Sequence, residues 1–230
     1  MIVLKPFKAI RPAKKFVAKV AALPYDVMDS HEARDMAKDN PYSFLHVDKA
    51  EIDLDSRINI YDLRVYEKAR ENLKAMIENK ILIQDEKENL YIYKQVMDGK
   101  EQVGLVGCLS VEDYIDNKIK KHENTIKEKQ EDRTNHVYHC NGNTGPIFLT
   151  YKSRKEINAI IENWIDINAP VYDFVSEDGI SHQVWIIDND DIIQRLRELF
   201  KTLDNLYIAD GHHRAAAAVE VAKKQRDKLG

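Results

Sequence analysis

The segment Leu206-Tyr-Ile-Ala-Asp210-Gly-His-His-Arg214-Ala-Ala-Ala-Ala218 constrains this chain more than any other. Leu206 to Ala209 is a short apolar run of strand type, and Gly211 frees the backbone for a tight turn. From Ala215 onward the pattern is helical, with Val219, Ala222 and Lys223 spaced for one and a half turns. A helix N-terminus carries about half a positive charge, so acidic residues are the usual choice there. This one receives His212, His213 and Arg214 instead. Each cation so placed costs about 0.3–1 kcal/mol unless an anion compensates. Unpaired amides, a glycine and an arginine together make a seat for phosphate or carboxylate. The plainer reading is that Asp210 caps the helix and pairs with Arg214, the histidines lying on the surface or in the core. Four polar groups in five residues exceed what capping requires.

With 230 residues, the chain can bury a substantial core as one large or two small domains. Hydrophobic residues at 43% and charged residues at 32% exclude a disordered chain. A net charge of −4 argues against a general nucleic-acid or membrane-surface binder. No apolar run approaches membrane-spanning length, and Met1-Ile-Val-Leu-Lys has no secretory pattern. Cys108 and Cys140 have neither metal nor redox spacing, so a reducing cytoplasm is the expected compartment.

Along the chain, the first 27 residues read as extended segments broken by Pro6, Pro12 and Pro24. Asp29 caps a helix with Glu32 three positions later, ending before Asn40-Pro41. Phe44 to Val47 reads as a strand, and a helix covers about Ile60 to Asn79. Ile81 to Ile83 is strand-like. Asp98-Gly99 joins Leu90–Met97 to Val103–Ser110 as a hairpin. Thr125 to about His139 reads as a charged helix capped by Thr125, and Ile147 to Tyr151 as a strand. A helix bearing Ile157, Ile160, Ile161 and Trp164 follows. Val171–Val175 and Gln183–Ile187 pair around Asp178-Gly179. Ile192, Ile193, Leu196, Leu199 and Phe200 then form an apolar helical stripe. The expected class is α+β, a mixed α/β chain, as one large region over 1–230 with a sub-boundary near 143–147. A helix packing through small residues needs a partner surface, so the chain reads as the N-terminal part of a longer polypeptide.

A second polar cluster is Lys120-Lys-His-Glu-Asn-Thr125 with Asp132-Arg133. Thr125, Lys129, Asp132 and His136 fall on one face of the expected helix. His122 and Glu123 precede it, where a turn can aim them at a common cavity. A carboxylate beside a histidine suits proton abstraction from a hydroxyl, and lysine and arginine neutralise transferred phosphate. The competing reading is a solvated helix laced with ion pairs. A dedicated zinc site is not expected. No HExxH pattern occurs, and His212 and His213, adjacent on a helix, point about 100° apart. Magnesium brought by nucleotide phosphates and held by Asp210 fits better. Asp26, in Pro24-Tyr-Asp-Val27, and His46, in Asn40-Pro-Tyr-Ser-Phe-Leu-His46, are candidates to line a substrate cleft with Asp132.

These residues carry a resemblance. Residues 206 to about 222 resemble the phosphate-binding unit of ParB/sulfiredoxin-like proteins, most closely their free serine kinase branch, which shares Asp-Gly-His-His-Arg. Most of the chain also resembles a bacterial and archaeal family of unknown function. That match rests on Pro24-Tyr-Asp-Val27, Asn40 to His46, His122-Glu-Asn-Thr125 with Asp132-Arg133, and Asp210 to Arg214. Sulfiredoxins carry a nucleophilic cysteine where this chain has His212, so their thiolate chemistry is missing. ParB proteins carry Gly-Glu-Arg-Arg and act on DNA, and the basic surface for that role is lacking here. The resemblance to free serine kinases implies ATP or ADP with Mg2+ as cofactors and L-serine or a similar small hydroxy compound as acceptor. In the compact kinases the motif lies much nearer the N-terminus. Their upstream carboxylate therefore has no aligned counterpart here, and Glu123 is a candidate from local chemistry alone.

The expected function is thus a nucleotide-dependent phosphotransferase. Asp210, His212, His213 and Glu123 are its candidate catalytic residues. Gly211, Arg214, His122, Thr125 and Arg133 are candidates for holding phosphates. The alternatives are a nucleotide-binding regulatory module without transfer and a metal-dependent hydrolase.

Overall fold

Two positive-φ turns pin the hairpins of a four-stranded antiparallel sheet. Asp98 and Gly99 sit at φ 51° and 72°, the left-handed pair a two-residue hairpin needs, and Gly179 sits at φ 80° in the second hairpin. A computed structural model describes residues 1–229. It begins with β1 (Leu4–Lys5), β2 (Ile10–Pro12), a 3-10 turn at Lys14–Phe16 running into α1 (Val17–Val20), and another at Tyr25–Val27. Then come α2 (Ser30–Ala37), α3 (Leu45–Asp48), a 3-10 turn at Ala50–Asp53, and α4 (Leu63–Glu78). The middle of the chain gives β3 (Leu82–Gln84), β4 (Leu90–Met97), β5 (Lys100–Val106), β6 (Cys108–Leu109), α5 (Val111–Ile115), β7 (Ile119–Lys120) and α6 (Lys127–Cys140). It closes with β8 (Phe148–Thr150), α7 (Lys155–Ile167), β9 (Tyr172–Val175), β10 (Ser181–Ile187), α8 (Asp190–Lys201), β11 (Leu206–Asp210) and α9 (His212–Leu229). The class is mixed α/β. No helix among the described residues is long and apolar enough to cross a membrane.

The chain folds into two compact units, each assembled from three separated segments. Unit 1 takes residues 1–18, 83–120 and 150–207, and unit 2 takes 19–82, 121–149 and 208–230. The chain changes unit between Leu149 and Thr150, close after the 143–147 stretch, but also at four other places, so no single cut separates them.

Unit 1 is built on an antiparallel sheet in the order β5-β4-β10-β9. Trp185 faces Ile92 and Ile187 faces Leu90 across the central pair, and all four side chains are buried. At one end, Arg11 bonds Asp85 at 2.7 Å and donates to the Tyr172 hydroxyl at 2.8 Å. Burial pulls the Arg11 pKa down, but these partners more than offset it and leave it raised. β7 and β11 run parallel, with Leu206 opposite Ile119 and Tyr207 opposite Lys120.

Unit 2 is mainly helical. α2 carries the expected capping box: the Asp29 side chain accepts from the His31 and Glu32 amides, and the Glu32 carboxylate accepts from the Asp29 amide. Ala33, Ala37, Leu45 and Ile52 form a small core with Met28 against it. α6 packs on both α4 and α9. α9 turns Ala215, Ala216, Ala217, Val219 and Val221 inward, so its small-residue face finds its partner surface within the chain.

Three local expectations are corrected. Phe44 to Val47 is not a strand: Ser43 Oγ accepts from the Leu45 amide, and the segment closes into α3 with Leu45 and Val47 both buried. A four-residue apolar run has no periodicity to separate the two states. The first 27 residues include helical turns at Lys14–Val20 and Tyr25–Val27 as well as strands. Thr125 does not cap α6; Ile126 occupies that position without a side-chain bond, and the Thr125 hydroxyl donates to Gln130 Oε1 at 2.6 Å.

The β11 burial pattern sets a test of this alternation. Ile208 is buried and Tyr207 is half exposed. Ile208→Ala is expected to cost about 2–4 kcal/mol in urea unfolding, against about 0.5 or less for the Tyr207 side chain cut to alanine. Equal costs would contradict the inward placement of Ile208.

Candidate functional site

β11 ends at Asp210, and Gly211 adopts φ 92°, which lets the chain turn straight into α9. The helix therefore starts at His212, three residues earlier than its apolar pattern suggests. The Ala215 amide donates to the Gly211 carbonyl at 2.9 Å and ties the turn to the helix. The amides of His212, His213 and Arg214 precede that bond and form the positive end of an 18-residue helix.

The three side chains of this turn take different partners: two reach the segment before α6, and the third reaches Pro146 and Asp210. His212 is 4% exposed, with Nδ1 3.1 Å from Glu123 Oε1 and Nε2 3.5 Å from the His122 amide. The His122 ring stands edge-on to His212, with centroids 4.4 Å apart. His213 Nε2 accepts from the Ile126 amide at 3.0 Å, which places the ring proton on Nδ1. Burial pushes the His213 pKa down, and the Lys129 charge pushes it the same way. Arg214 folds back along the turn, donating through Nη1 to the Pro146 carbonyl at 2.5 Å and through Nη2 to Asp210 Oδ2. Its guanidinium lies against Gly211, where an added Cβ would meet Nε at 3.1 Å, and its Cδ lies 3.2 Å from a Cβ built on Gly145.

The two polar clusters of the sequence therefore meet. His122, Glu123 and the backbone of Ile126 close over the start of α9. The anion expected to compensate Arg214 is supplied in part by the chain itself, through Asp210, whose side chain is 64% exposed.

Beside this turn, α6 buries a polar stripe of Arg133, Thr134 and His136 with Cys140. The Arg133 guanidinium stacks 4.0 Å over the Tyr25 ring and bonds Asp132 Oδ2 at 2.8 Å. Burial lowers its pKa, yet the Asp132, Tyr25 and Asp48 charges more than restore it. The Tyr66 hydroxyl donates to Asp132 Oδ1 at 3.0 Å, and burial with that carboxylate raises the Tyr66 pKa. The Thr144 hydroxyl donates to Asp48 at 2.6 Å. Burial pushes the Cys140 thiol up to about 12, so it is no nucleophile. Asp26 sits near enough for its charge to act on both Tyr25 and His213.

Other expected residues lie elsewhere in unit 2 or in different roles. His46 is bonded to Asp53 at 2.8 Å, to the Asn40 carbonyl, and sits beside Asn72 in a local network of α3 and α4. Thr125 is engaged with Gln130. Arg133 is buried and committed to Asp132 and Tyr25. The sequence reading missed Tyr25, Tyr66, Asp48 and Thr144, and it read Gly145-Pro146 only as the end of an irregular segment. Nothing local in those stretches marks them; only Tyr25 falls inside a motif already singled out. An open hollow of about 630 Å³ at the C-terminal ends of α6 and α9 is lined by residues including Arg70, His139 and Lys228, and by none of the site residues above.

One family model, described as "Protein of unknown function (DUF1015)", matches residues 4–229. The chain belongs to the DUF1015 family. No curated protein and no solved structure matches it.

Two measurements probe this corner of the DUF1015 chain. Gly211→Ala forces a side chain into positive φ against Arg214. It is expected to lower stability by about 1–3 kcal/mol in denaturant titration, and an unchanged midpoint would contradict the turn geometry. The second concerns His136, whose Nε2 donates to the Val47 carbonyl at 2.9 Å while its buried Nδ1 has no partner. Burial, then the Arg133 charge, lowers its pKa below the unfolded value. A group with a depressed histidine pKa is protonated first in the unfolded chain. Its share of stability is therefore present above about pH 6.5 and lost as pH falls below it. His136→Gln keeps a donor for Val47 and does not titrate, so its melting temperature is expected to fall less between pH 7 and pH 5 than that of the parent. Parallel pH profiles would exclude His136 as a source of acid sensitivity.

Proposed function

We propose that this site transfers phosphate from a nucleotide to the hydroxyl of a small metabolite. The observation that carries the reading is the convergence, on one helix N-terminus, of three leading amides, two carboxylates and two imidazoles held at hydrogen-bond distances. Phosphoryl transfer asks mainly for positioning and charge neutralisation, and these groups supply both.

In this reading the amides of His212, His213 and Arg214 receive the phosphate oxygens. His213 adds a neutral Nδ1–H donor, because its other nitrogen is occupied by the Ile126 amide and its pKa is depressed. Lys129, whose charge acts on His213, contributes positive potential on the same side. Arg214 is a positioning residue: it clamps Asp210 and the Pro146 carbonyl and so fixes the turn. Asp210 accepts the proton of the acceptor hydroxyl as that oxygen bonds phosphorus and the bridging oxygen leaves with the nucleotide. Magnesium carried by ATP or ADP adds neutralisation of the phosphate charge. The family resemblance of the Asp-Gly-His-His-Arg turn points to L-serine as acceptor and O-phosphoserine as product.

The test is incubation of the full chain with ATP or ADP, Mg2+ and L-serine or other small hydroxy compounds, read by mass spectrometry for the phosphorylated product. Asp210→Asn is expected to lower the turnover rate about 100-fold or more with little change in nucleotide affinity. Arg214→Ala is expected to lower both. Unaltered rates in these two variants would remove the assignments, and nucleotide binding with no product from any acceptor would leave a sensing module instead of an enzyme.

A further inference from the structure

We propose that His122, Glu123 and His212 form a binding site for a divalent first-row transition ion such as Mn2+, Co2+ or Zn2+. One donor atom from each of the three side chains lies within 4.8 Å of the others. The 3.1 Å between His212 Nδ1 and Glu123 Oε1 is the spacing of two neighbouring ligands on one ion. Bonds of about 2.0–2.2 Å to nitrogen and carboxylate oxygen put adjacent donors roughly 3.0–3.6 Å apart. His122 needs the larger adjustment, and it can make it. Its side chain and that of Glu123 are exposed, on a stretch of chain outside any helix or strand. His212 is the fixed member, buried and held by the start of α9.

A plain ion pair explains Glu123 and His212 but leaves out His122, whose ring stands edge-on 4.4 Å from that of His212. A shared ion accounts for all three. Coordination through His212 Nδ1 moves the ring proton to Nε2 and gives up the contact with the His122 amide. At 3.5 Å that contact is the weakest of the cluster, so the loss is small. Two imidazoles and one carboxylate suit borderline transition ions and select against Mg2+, which prefers oxygen ligands and keeps its water. Three protein ligands leave positions open.

The site shares His212 and Glu123 with the corner assigned to phosphotransfer, but the binding of the ion does not depend on that reading; only the task of the ion rests on it. There, its open positions would take phosphate oxygens beside the α9 amides, while Asp210, already clamped by Arg214, stays clear of the ion. His212 and His213, neighbours that diverge along a helix, do not make a shared zinc site. The ligand set instead joins one helical histidine to two residues about 90 positions earlier.

The experiment measures binding, not turnover, so its failure and that of the kinase reading are distinguishable. The full chain, stripped of metal, is titrated with Co2+ by visible absorption and with Zn2+ and Mn2+ by calorimetry. One ion per chain is expected, not displaced by millimolar Mg2+. His122→Ala and Glu123→Gln, both at exposed positions, are each expected to weaken binding at least about tenfold. His31→Ala, at an exposed histidine bonded to Asp35, is expected to bind like the parent. Absence of a stoichiometric ion, or affinity unchanged in either ligand variant, overturns the proposal.

Discussion

The first turn of α9 organises unit 2 because consecutive helical residues point about 100° apart. His212, His213 and Arg214 therefore each take their own partners, the two histidines on the segment before α6 and the arginine at Pro146 and Asp210. His212 holds His122 and Glu123, His213 holds the Ile126 amide, and Arg214 holds Pro146 and Asp210. A cationic residue at this pole of a helix is normally unfavourable by about 0.3–1 kcal/mol. Two devices reduce that cost. Burial and the Lys129 charge lower the His213 pKa, and the Arg214 charge faces the carboxylate of Asp210 four residues before it. At the head of the helix stand its three leading amides, framed by side chains that are already anchored.

The second constraint is the polar interior of α6. Arg133, Thr134 and His136 are buried, each with a specific partner: Asp132 and Tyr25, the Gln130 carbonyl, and the Val47 carbonyl. Buried polar groups of this kind contribute little net stability while intact, but removing one partner of a buried ion pair costs about 3–5 kcal/mol. Such a network tolerates one arrangement and penalises its neighbours. It thereby fixes α6 against α4 and α9 and holds the Lys121–Ile126 segment, which leads into α6, in register with the start of α9. Within this network His136 Nδ1 is buried without a hydrogen-bond partner, and burial with the Arg133 charge lowers the pKa of that ring.

Much of the fold was legible wherever a local rule has no competitor. Asp98-Gly99 and Asp178-Gly179 read as hairpins because few residues accept positive φ, and both turns formed. The Asp29–Glu32 capping box and the apolar stripes of α7 and α8 read correctly for the same reason. Phe44 to Val47 did not, since four apolar residues fit a buried strand or a buried helical turn equally. α6 was harder still. Its composition suggests a solvated charged helix, and only tertiary packing reveals that one side of it is interior. The candidate site was legible as two separate clusters. Their meeting was not, because no local signal links Glu123 to His212 across about 90 residues, and the interleaved segments of the two units give the sequence no boundary to read.

That meeting also changes how the carboxylates divide their work. In the sequence, Glu123 and Asp210 are interchangeable candidates for one proton-accepting role. In the folded chain they stand on different partners. Glu123 faces the buried imidazole of His212, with a second imidazole beside it, while Asp210 faces a guanidinium and is largely exposed. Nitrogen donors next to a carboxylate make an environment for a cation, since each can offer a lone pair to the same ion. A guanidinium next to a carboxylate excludes a cation, since the carboxylate's negative charge is already answered. Asp210 keeps a solvent-facing side that an acceptor hydroxyl could approach in the proposed transfer without displacing Arg214. The helix end carries the leading amides, so in the proposed transfer an oxyanion resting there would have two carboxylate neighbours committed to different partners.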